Sequence, residues 1–422
     1  MPLAPFLPFV RRWFEETFGA PTRPQREGWA SIAAGRHTLI VAPTGSGKTL
    51  AAFLWTLDHL HRLALEGRLE ERVYVVYVSP LRALNNDIEK NLREPLAGIA
   101  AAAAAAGHRL PALRVAVRTG DTQASARQAM TRRPPHVLIT TPESLYLLLT
   151  AERFRPALAS ARFVIVDEIH AFFATKRGAH LALSLERLAA LAGEGLQRIG
   201  CSATVRPVED ALAFLVGAGR GGAVVDAGFS RAMELEVVTP VADFLTAPSD
   251  TVWDALLQQV AEWVAAHRTT LVFAPSRRAA ERLARNLDDR LPEGSVLAHH
   301  GSLSRRARLE AEDRLKGGAL RALVATSSLE LGIDVGAIDL VVQTQSPRTI
   351  AAVLQRVGRA GHLPTRVARG KVIATRGEEL VEAAAVARAI RAQELDRQAM
   401  PEAPLDDVAA EPADQHAEVP RA

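Results

Sequence analysis

The stretch Ala42-Pro-Thr-Gly-Ser-Gly-Lys48-Thr49 decides the fold because of what stands on either side of it. A short apolar run, residues 38–42, leads into it, and a segment with helical apolar spacing, residues 50–66, follows it. A glycine-rich turn between a strand and a helix lets backbone N–H groups and the positive end of the helix dipole approach phosphate oxygens. The first position is Ala42, where the general pattern has glycine. A glycine-rich turn with a chance lysine is the alternative, but the spacing and context favour a phosphate-binding loop.

The residues of this loop have predicted roles in holding ATP and Mg²⁺. Lys48 is expected to meet the β- and γ-phosphates, and the Thr49 hydroxyl is expected to hold the metal ion. The loop contacts to the nucleotide are assigned to Thr44, Gly45, Ser46, Gly47, Lys48 and Thr49.

Two adjacent acids, Asp167 and Glu168, end the apolar run Phe-Val-Ile-Val. A carboxylate at the end of a buried strand is unfavourable unless it meets a cation. Mg²⁺ beside a triphosphate supplies that cation to Asp167, and Glu168 can then polarise the attacking water. A helix N-cap is the alternative for this pair taken alone. With the phosphate loop, the pair predicts a nucleotide hydrolase.

Runs rich in Val, Ile and Leu alternate with helix-patterned stretches, and the alternation occurs twice along the chain. Such runs suit parallel strands buried on both faces, so the predicted fold class is α/β with two tandem parallel sheets. The predicted strands are 38–42, 73–79, 114–118, 137–140, 163–167, 197–201, 270–274, 295–298, 321–325, 339–343 and 371–374. The predicted helices include 50–66, 84–93, 179–192, 279–291 and 350–357.

The stretch 217–250 contains Gly-Ala-Gly-Arg-Gly-Gly and no strong helical period, which indicates a join. We expect a first domain over residues 1–228 and a second over 229–395. The remainder, 396–422, carries seven acids against two arginines and is interpreted as an acidic tail or as the truncated start of a further domain.

Composition bounds the class of protein. The 422 residues suffice for two to three domains, and 48% hydrophobic with 23% charged residues excludes wholesale disorder. No uninterrupted apolar run reaches the roughly 18 residues of a membrane span, and no signal peptide is expected. Cys201 is the single cysteine, which excludes an internal disulfide framework and a cysteine zinc site and favours a reducing cytoplasm. The net charge of +4 is only a weak pointer to polyanions.

Further motifs make the chain resemble a superfamily 2 helicase of the DEAD/DEAH-box-like kind. Gln25, in PTRPQREGW, is similar to the glutamine motif, and Ser202-Ala203-Thr204 matches motif III. The other matches are SPLRALNND at 79–87, RTGD at 118–121, TTPESL at 140–145, LVFAPSRRAAE at 271–281, HHGSLS at 299–304, ATSSLELGIDV at 325–335 and QRVGRAGH at 355–362. The resemblance covers about residues 10–395 and implies two RecA-like domains, a motor core of the phosphate-loop NTPase class.

The large helicase-related (Lhr) type is indicated by DEIH at 167–170 with TKRGAHLALSLERL at 175–188, and by SLELGID, IDLVVQ, SPR and LQRVGRAGH in order. The ligase-associated relatives are close, but tryptophan is expected there at the Ile169 position. Val205 stands where glutamine is expected after motif III, and Ala274 and Pro275 alter motif IV. These departures affect the fine tuning expected of motifs III and IV and leave the assignment to the helicase class unchanged.

The resemblance implies roles for residues outside the phosphate loop. Gln25 would read adenine, and Gly332 and Asp334 would contribute to the nucleotide site, Asp334 at the ribose. Gln355 would touch the attacking water or the phosphate, Arg356 the γ-phosphate, and Arg359 would be the arginine finger. Because the two arginines are three residues apart, a helix can turn both to one cleft; a solvated basic helix is the alternative. His170, Ser202 and Thr204 would couple hydrolysis to movement, with His170 bridging to Gln355 or to motif III.

Contacts to nucleic acid are expected to be with the strand's backbone, through hydroxyls, arginines and exposed N–H groups beside turns. Many of these residues are equally well explained as ordinary turn caps. Trp13, Trp29 and Trp55 have helical apolar neighbours, which favours core packing over base stacking. The candidates are Arg82, Thr119, Gly120, Thr141, Pro142, Glu143, Ser276, Arg277, His300, Gly301, Thr326 and Ser327.

The expected function is therefore an ATP-dependent helicase or translocase. The resemblance implies 3′-to-5′ movement on single-stranded DNA, unwinding of DNA or RNA–DNA duplexes, and a part in DNA repair. A cytoplasmic, nucleoid-associated monomer without a membrane is expected. The alternative is a nucleic-acid-stimulated ATPase core that unwinds only with the family's winged-helix and further domains, or with a partner protein that supplies them. A third interpretation is a regulatory subunit with an idle ATPase. The intact Lys48, Glu168 and Arg359 argue against it.

Overall fold

The chain forms two compact units in a computed structural model. The structure describes residues 2–43, 45–80, 82–228, 233–244, 246–330, 338–360, 367–402 and 404, leaving out the side chains of 82–87, 90, 91, 305 and 328. The first unit comprises Met1–Ala42, Ser46–Gly228 and Arg397–Ala422, and the second comprises Pro43–Gly45 and Phe229–Asp396.

The first unit is a seven-stranded parallel sheet with helices on both faces. Its strands are β1 (Thr38–Val41), β2 (Val75–Val78), β3 (Val115–Arg118), β4 (Val137–Thr140), β5 (Phe163–Val166), β6 (Gln197–Ser202) and β7 (Ala223–Asp226). Its helices are α1 (Pro8–Phe18), α2 (Arg23–Ala33), α3 (Lys48–Leu65), α4 (Arg82–Ala105), α5 (Ala124–Arg132), α6 (Pro142–Thr150), α7 (Arg155–Leu158), α8 (Lys176–Ala192) and α9 (Val208–Val216). The strand order is β3-β4-β2-β5-β6-β1-β7, and every neighbouring pair is parallel.

The second unit has a six-stranded parallel sheet in the order β10-β11-β9-β12-β13-β8. Its strands are β8 (Met233–Val238), β9 (Thr270–Phe273), β10 (Val296–His299), β11 (Ala322–Ala325), β12 (Leu340–Thr344) and β13 (Ala368–Ile373). Its helices are α10 (Ser249–Ala266), α11 (Arg277–Asp288), α12 (Arg305–Lys316), α13 (Ile350–Val357) and α14 (Gly377–Arg391). The prediction of two tandem parallel α/β sheets is confirmed.

The central strands are apolar on both faces, as the sequence predicts. In β1, Ile40 packs into a cluster with Phe14 and Trp29, whereas Leu39 belongs to a second cluster with Phe173. Successive side chains of a strand point to opposite faces, so a continuous apolar run serves both layers of helices. Each such fully buried side chain stabilises the fold by about 1.5–3 kcal/mol.

Two of the three tryptophans considered for base stacking are core residues. Trp29 is fully buried and Trp13 is nearly so, while Trp55 is partly buried against the same cluster. The edge of the Phe6 ring meets Trp29 at 4.9 Å between centroids. Core packing of these rings is thereby confirmed.

The sequence prediction missed two strands, β7 and β8, inside the stretch interpreted as a join. β7 has four residues and follows a glycine-rich segment. β8 reads Met-Glu-Leu-Glu-Val-Val, and its Glu234 and Glu236 form ion pairs with Arg369 and Lys371 of β13. Glutamate is depleted in strands, and here a cationic neighbouring strand compensates for it. Helix α4 is also longer than predicted, since it extends through the alanine run to Ala105.

No helix among the described residues has both the length and the apolar character needed to cross a membrane.

Candidate active site and nucleic-acid interface

Nearly all candidate residues of the first unit follow the carboxyl ends of its parallel strands. Those assigned to the nucleotide follow β1 and β5, apart from Gln25 on α2, and the coupling residues Ser202 and Thr204 lie at the end of β6, the strand between these two. Those assigned to nucleic acid follow β2, β3 and β4, which are also neighbours. Ligands of open α/β sheets bind at this edge. The candidates for the nucleotide and the candidates for nucleic acid therefore occupy adjoining halves of this edge.

The phosphate loop uses backbone conformations that favour glycine. Gly45 and Gly47 have φ values of +80° and +82°, in the left-handed region. A Cβ on Gly47 would also lie 2.4 Å from Gln25 Nε2. Lys48 begins α3 and is 5% exposed. Thr44 lies outside the described residues.

Gln25 links helix α2 to the phosphate loop. Its Oε1 accepts a hydrogen bond from Thr22 N at 2.9 Å, which caps the helix, and its Nε2 lies 3.5 Å from Gly47 O. The Thr22 hydroxyl donates to Ser46 O at 2.9 Å. The structure thus brings Gln25 together with Ser46 and Gly47, as an adenine-reading residue beside the loop requires.

Asp167 is buried and fully oriented by hydrogen bonds. Its Oδ2 accepts from Tyr77 Oη at 2.6 Å and from Thr49 Oγ1 at 3.1 Å, and its Oδ1 accepts from Glu168 N at 2.8 Å. Burial, and then the charge of Glu168, raise the pKa of Asp167, while the charge of Lys48 acts to lower it. Two acids and a lysine therefore share one desolvated site, as a metal and phosphate site requires.

Glu168 adopts a strained backbone conformation for a non-glycine residue, with φ at +53°. It precedes a single 3₁₀ turn, Ile169–Ala171, but its side chain makes no cap hydrogen bond. The helix-cap alternative for the acidic pair is therefore wrong for this carboxylate. Its Oε2 is buried and has no hydrogen-bond partner in the described part of the chain. A buried, unbonded carboxylate oxygen suits the predicted contact with water.

His170 contacts motif III. Its Nδ1 lies 3.1 Å from Ser202 Oγ and 3.3 Å from Ala203 N. Because a backbone N–H can only donate, Nδ1 accepts, and the neutral ring carries its proton on Nε2. That Nε2 lies 3.6 Å from Glu168 Oε2. The motif III side of the predicted bridge is thus present, the Gln355 side stays a prediction, and Thr204 is buried nearby in sequence.

The residues present fit Mg²⁺. Thr49 and Asp167 offer hydroxyl and carboxylate oxygens, the hard ligands that this ion prefers, and their side chains lie within hydrogen-bond distance of each other. Across the described ranges, no group of three or more His, Cys, Asp or Glu could hold a metal ion by itself. Phosphate oxygens of a nucleotide would therefore complete the coordination, which is how Mg²⁺ commonly binds in nucleotide hydrolases.

In the second unit, Glu330 contacts both predicted catalytic arginines. Its Oε1 accepts from Arg356 Nε at 2.7 Å and also from Nη2, and its backbone oxygen accepts from Arg359 Nη2 at 2.7 Å. Arg356 also donates to Gln343 and lies over the Phe273 ring, 5.0 Å from its centroid. The side chain of Arg356 is 13% exposed and Arg359 is 4% exposed, so the solvated-helix alternative is wrong here.

Helix α13 carries Gln355 and Arg356, and its first turn is capped from two directions. Thr349 Oγ1 accepts from Ala352 N at 3.2 Å, and Asp396 Oδ2 accepts from Ile350 N at 2.7 Å. Asp396, interpreted from the sequence as the first acid of the tail, is instead a helix cap. Gly332 and Asp334 lie outside the described residues, as does most of the tail.

The strand-contact candidates of the first unit differ in what their side chains can reach. Thr119 and Thr141 are buried, and the Thr119 hydroxyl accepts from Asp121 N at 3.3 Å within a turn. Gly120 is exposed and Pro142 is the first residue of α6. Glu143 pairs with Arg177; burial opposes the effect, but the hydrogen bond from Arg177 holds the pKa of Glu143 below its usual range. The side chain of Arg82 lies outside the described set.

The candidates of the second unit follow β9, β10 and β11, which are also neighbours. Ser276 caps α11, because its hydroxyl accepts a hydrogen bond from Ala279 N at 3.2 Å. The alternative explanation of Ser276 as an ordinary cap therefore fits the structure. His300 is 2% exposed, and its Nε2 lies 2.9 Å from Glu281 Oε1, so this ring nitrogen already has a partner within the protein. Three further candidates are exposed, Arg277, Gly301 and Ser327, and Thr326 is half-buried.

Two residues of the site were not found from the sequence. Tyr77 lies within a strand that reads as ordinary core, two residues before the motif that begins at Ser79. Glu330 stands inside motif V but was not assigned a role. A polar atom in an otherwise apolar strand was the only available signal for Tyr77.

Comparison with known proteins agrees with this geometry. The DEAD/DEAH box helicase family matches residues 22–211, and the helicase conserved C-terminal domain matches residues 252–363. The ATP-dependent helicase Lhr-Core protein 2 of Thermococcus barophilus is 48% identical over 404 residues, covering 94% of this chain and 47% of that protein. The Lhr helicase/uracil glycosylase of Escherichia coli is 42% identical, covering 95% of this chain and 29% of that protein.

A solved structure of the Mycobacterium smegmatis helicase Lhr bound to ssDNA and AMP-PNP is 45% identical, with a TM-score of 0.90 over 99% of this chain and 54% of that one. The chain thus spans about half the length of that helicase and less than half of these curated relatives. The predicted RecA-like type of the two sheets and the predicted resemblance are both confirmed. The chain belongs to the DEAD/DEAH box helicase family and, within it, to the Lhr type.

Proposed function

We propose that the chain is the motor core of an ATP-dependent helicase or translocase that acts on single-stranded DNA. The observation that carries the proposal is the strand order of one sheet: the candidates for nucleotide binding and coupling lie at the ends of β5, β6 and β1, and those for nucleic acid follow β3, β4 and β2. Hydrolysis and nucleic-acid binding then share one sheet, and the two sets of candidates meet at the paired strands β2 and β5, so a change at the phosphates can reach the nucleic-acid contacts across that pair. The named relatives are helicases, and one is solved with ssDNA and AMP-PNP.

The proposed roles follow from the contacts. Lys48 and the loop N–H groups bind the phosphates, and Thr49 with Asp167 holds Mg²⁺, which neutralises phosphate charge when bound. Glu168 orients the attacking water and takes its proton. Arg359 stabilises the charge that develops on the transferred phosphoryl group, and Arg356 contacts the γ-phosphate. The proposed domains are residues 1–228 and 229–395, with 396–422 as a tail or the start of a further domain.

Movement from 3′ to 5′, action on RNA–DNA hybrids, a role in DNA repair and a monomeric state belong to the same proposal. The test is the steady-state ATPase rate with and without single-stranded DNA, with unwinding of 3′-tailed and 5′-tailed duplexes measured in parallel. Glu168→Gln serves as the control that retains nucleotide binding. Stimulated hydrolysis with unwinding of the 3′-tailed duplex is expected. Absence of any stimulation by nucleic acid would contradict the proposal.

A second candidate is a nucleic-acid-stimulated ATPase that translocates but does not separate strands by itself. The motifs assigned above account for nucleotide hydrolysis and for backbone contact with the strand, and none of them is assigned to strand separation, which favours this candidate. Stimulated hydrolysis without unwinding would support this candidate. In either case the contacts are with the strand's backbone, so log affinity should fall with log salt by about 0.7 per phosphate contacted. A flat salt response would argue against backbone contacts.

A further inference from the structure

Tyr77 is a buried hydroxyl donor aimed at the carboxylate assigned to the metal. It lies in the middle of β2, is fully buried, and donates to Asp167 Oδ2 at 2.6 Å. A distance of 2.5–2.7 Å is typical of a hydroxyl bonded to a charged carboxylate. The same oxygen accepts from Thr49 Oγ1 at 3.1 Å. Tyr77 and Thr49 therefore hold one carboxylate oxygen from two sides.

The ring of Tyr77 is itself fixed by the helix that starts at the phosphate loop. Phe53 of α3 stacks on it, with 4.9 Å between ring centroids and 27° between planes. Tyr77 also pairs in register with Ile139 of β4 and Ile165 of β5, so its backbone is held on both sides. Burial, and then the charge of Asp167, raise the pKa of Tyr77 well above its ordinary value, which keeps the hydroxyl protonated as a donor.

We propose that Tyr77 is a positioning residue that orients Asp167 for Mg²⁺ and so sets the metal-dependent part of nucleotide affinity. The inference rests on the proposed ATPase function. A buried carboxylate with a missing donor can rotate or turn to other partners, and either change misdirects the oxygen that faces the ion. Removing a hydrogen-bond partner of a metal ligand typically lowers metal affinity or activity by about 10–100-fold. Tyr77 touches neither nucleotide phosphate nor water in this account; it acts through Asp167.

The chain offers matched controls because it has three tyrosines, Tyr74, Tyr77 and Tyr146. Tyr77→Phe removes only the hydroxyl and keeps the stacked ring. Tyr146→Phe removes a buried hydroxyl that has no hydrogen-bond partner within the described ranges. Tyr74→Phe removes a hydroxyl that accepts from Glu70 N at 3.0 Å, a residue with no assigned role in the nucleotide site. All three variants lose one oxygen, so only the position differs.

The experiment measures the Kd of a fluorescent ADP analogue with excess Mg²⁺ and with EDTA for the wild type and the three variants, with thermal unfolding to check folding. In Tyr77→Phe we expect the Kd with Mg²⁺ to rise about 10–100-fold and the Kd with EDTA to stay within about twofold. Tyr74→Phe and Tyr146→Phe should match the wild type under both conditions. The half-saturating Mg²⁺ concentration of the ATPase should rise in Tyr77→Phe alone, and kcat should recover at high Mg²⁺.

Two results would overturn the inference alone: an unchanged Kd with Mg²⁺ in Tyr77→Phe, or an equal rise with Mg²⁺ and with EDTA, which would indicate a packing role. Failure of the proposed function looks different. A wild-type chain whose ADP affinity gains nothing from Mg²⁺ and which does not turn over ATP would contradict both proposals.

Discussion

Gln25 provides a sharp test because the two ends of its side chain do different things. Oε1 accepts from Thr22 N at 2.9 Å and caps α2, whereas Nε2 lies 3.5 Å from Gly47 O, at the limit of a hydrogen bond. The cap is therefore satisfied by one atom, and the other atom has a donor to spare for a base. Gln25→Glu keeps a carboxylate oxygen for the cap but removes the amide donor, and Gln25→Ala removes both.

The expected magnitudes follow from these contacts. Loss of the cap costs about 1 kcal/mol, which lowers Tm by roughly 2–4 °C for a unit of this size. Loss of a buried donor to the base costs about 1–3 kcal/mol, which is about 5–150-fold in discrimination. We therefore expect Gln25→Glu to keep the cap of α2, to lose the contact with Gly47 O, and to lose preference for ATP over GTP. Gln25→Ala should lose both, because neither atom remains.

The assay is the ratio of kcat/KM for ATP to that for GTP, with Tm measured on the same samples. The ratio is used because the negative charge introduced by Gln25→Glu repels the phosphates of ATP and GTP alike, so this effect cancels in the ratio. An unchanged ratio in Gln25→Glu, with a lower Tm in Gln25→Ala, would refute adenine reading and leave Gln25 as a helix cap alone. An equal loss of kcat/KM for both nucleotides also leaves the ratio unchanged, so it would likewise refute adenine reading.

Three further variants address other parts of the site. Arg359→Ala should lower kcat by about 10³-fold or more with ATP binding retained, on the arginine-finger scale, and an unchanged kcat would place the finger elsewhere. Glu168→Gln should bind ATP and hydrolyse it slowly, so loss of nucleotide affinity in an equilibrium titration would contradict its role with water. Arg198→Met should destabilise the fold by about 1–3 kcal/mol, because the Leu215 carbonyl loses its buried donor, whereas Glu186 is 40% exposed and keeps its pair with Arg220; an unaltered Tm would show that this hydrogen bond contributes little.

Much of the fold was predictable because burial on both faces leaves a direct mark on sequence. β4 and the central part of β5 are continuous apolar runs, and their predicted bounds agree with the structure within about one residue. The ends of these strands could also be predicted to carry the site, since functional side chains of parallel sheets lie at carboxyl ends. The edge strands were harder. β8 alternates Leu and Val with glutamates that only make sense once Arg369 and Lys371 are known to be beside them.

The residues that support the site were missed for a related reason. Tyr77, Glu330 and Asp396 act on groups that are 90, 26 and 46 residues away in sequence, at Asp167, Arg356 and Ile350 respectively. A motif reports residues that are close along the chain, whereas a hydrogen bond joins atoms close in space. Each of the three also has an ordinary local explanation, as a core aromatic, a helical acid and a tail acid. Only the three-dimensional structure shows the actual hydrogen-bond partners of these residues.

Within the first unit, a chain of contacts joins the residues assigned to hydrolysis to motif III. Ala42 N donates to Ser202 O at 3.0 Å, Ser202 Oγ contacts His170 Nδ1 at 3.1 Å, and His170 Nε2 faces Glu168 Oε2 at 3.6 Å. Groups that are already oriented require little reorganisation when charge develops at the phosphate, which is how fixed dipoles lower a barrier. Under the proposed function, a shift of Glu168 during hydrolysis would reach the Ser202 hydroxyl and the end of β6 through these contacts. Motif III would therefore respond to the state of the nucleotide through His170, because that ring contacts Ser202 and faces Glu168.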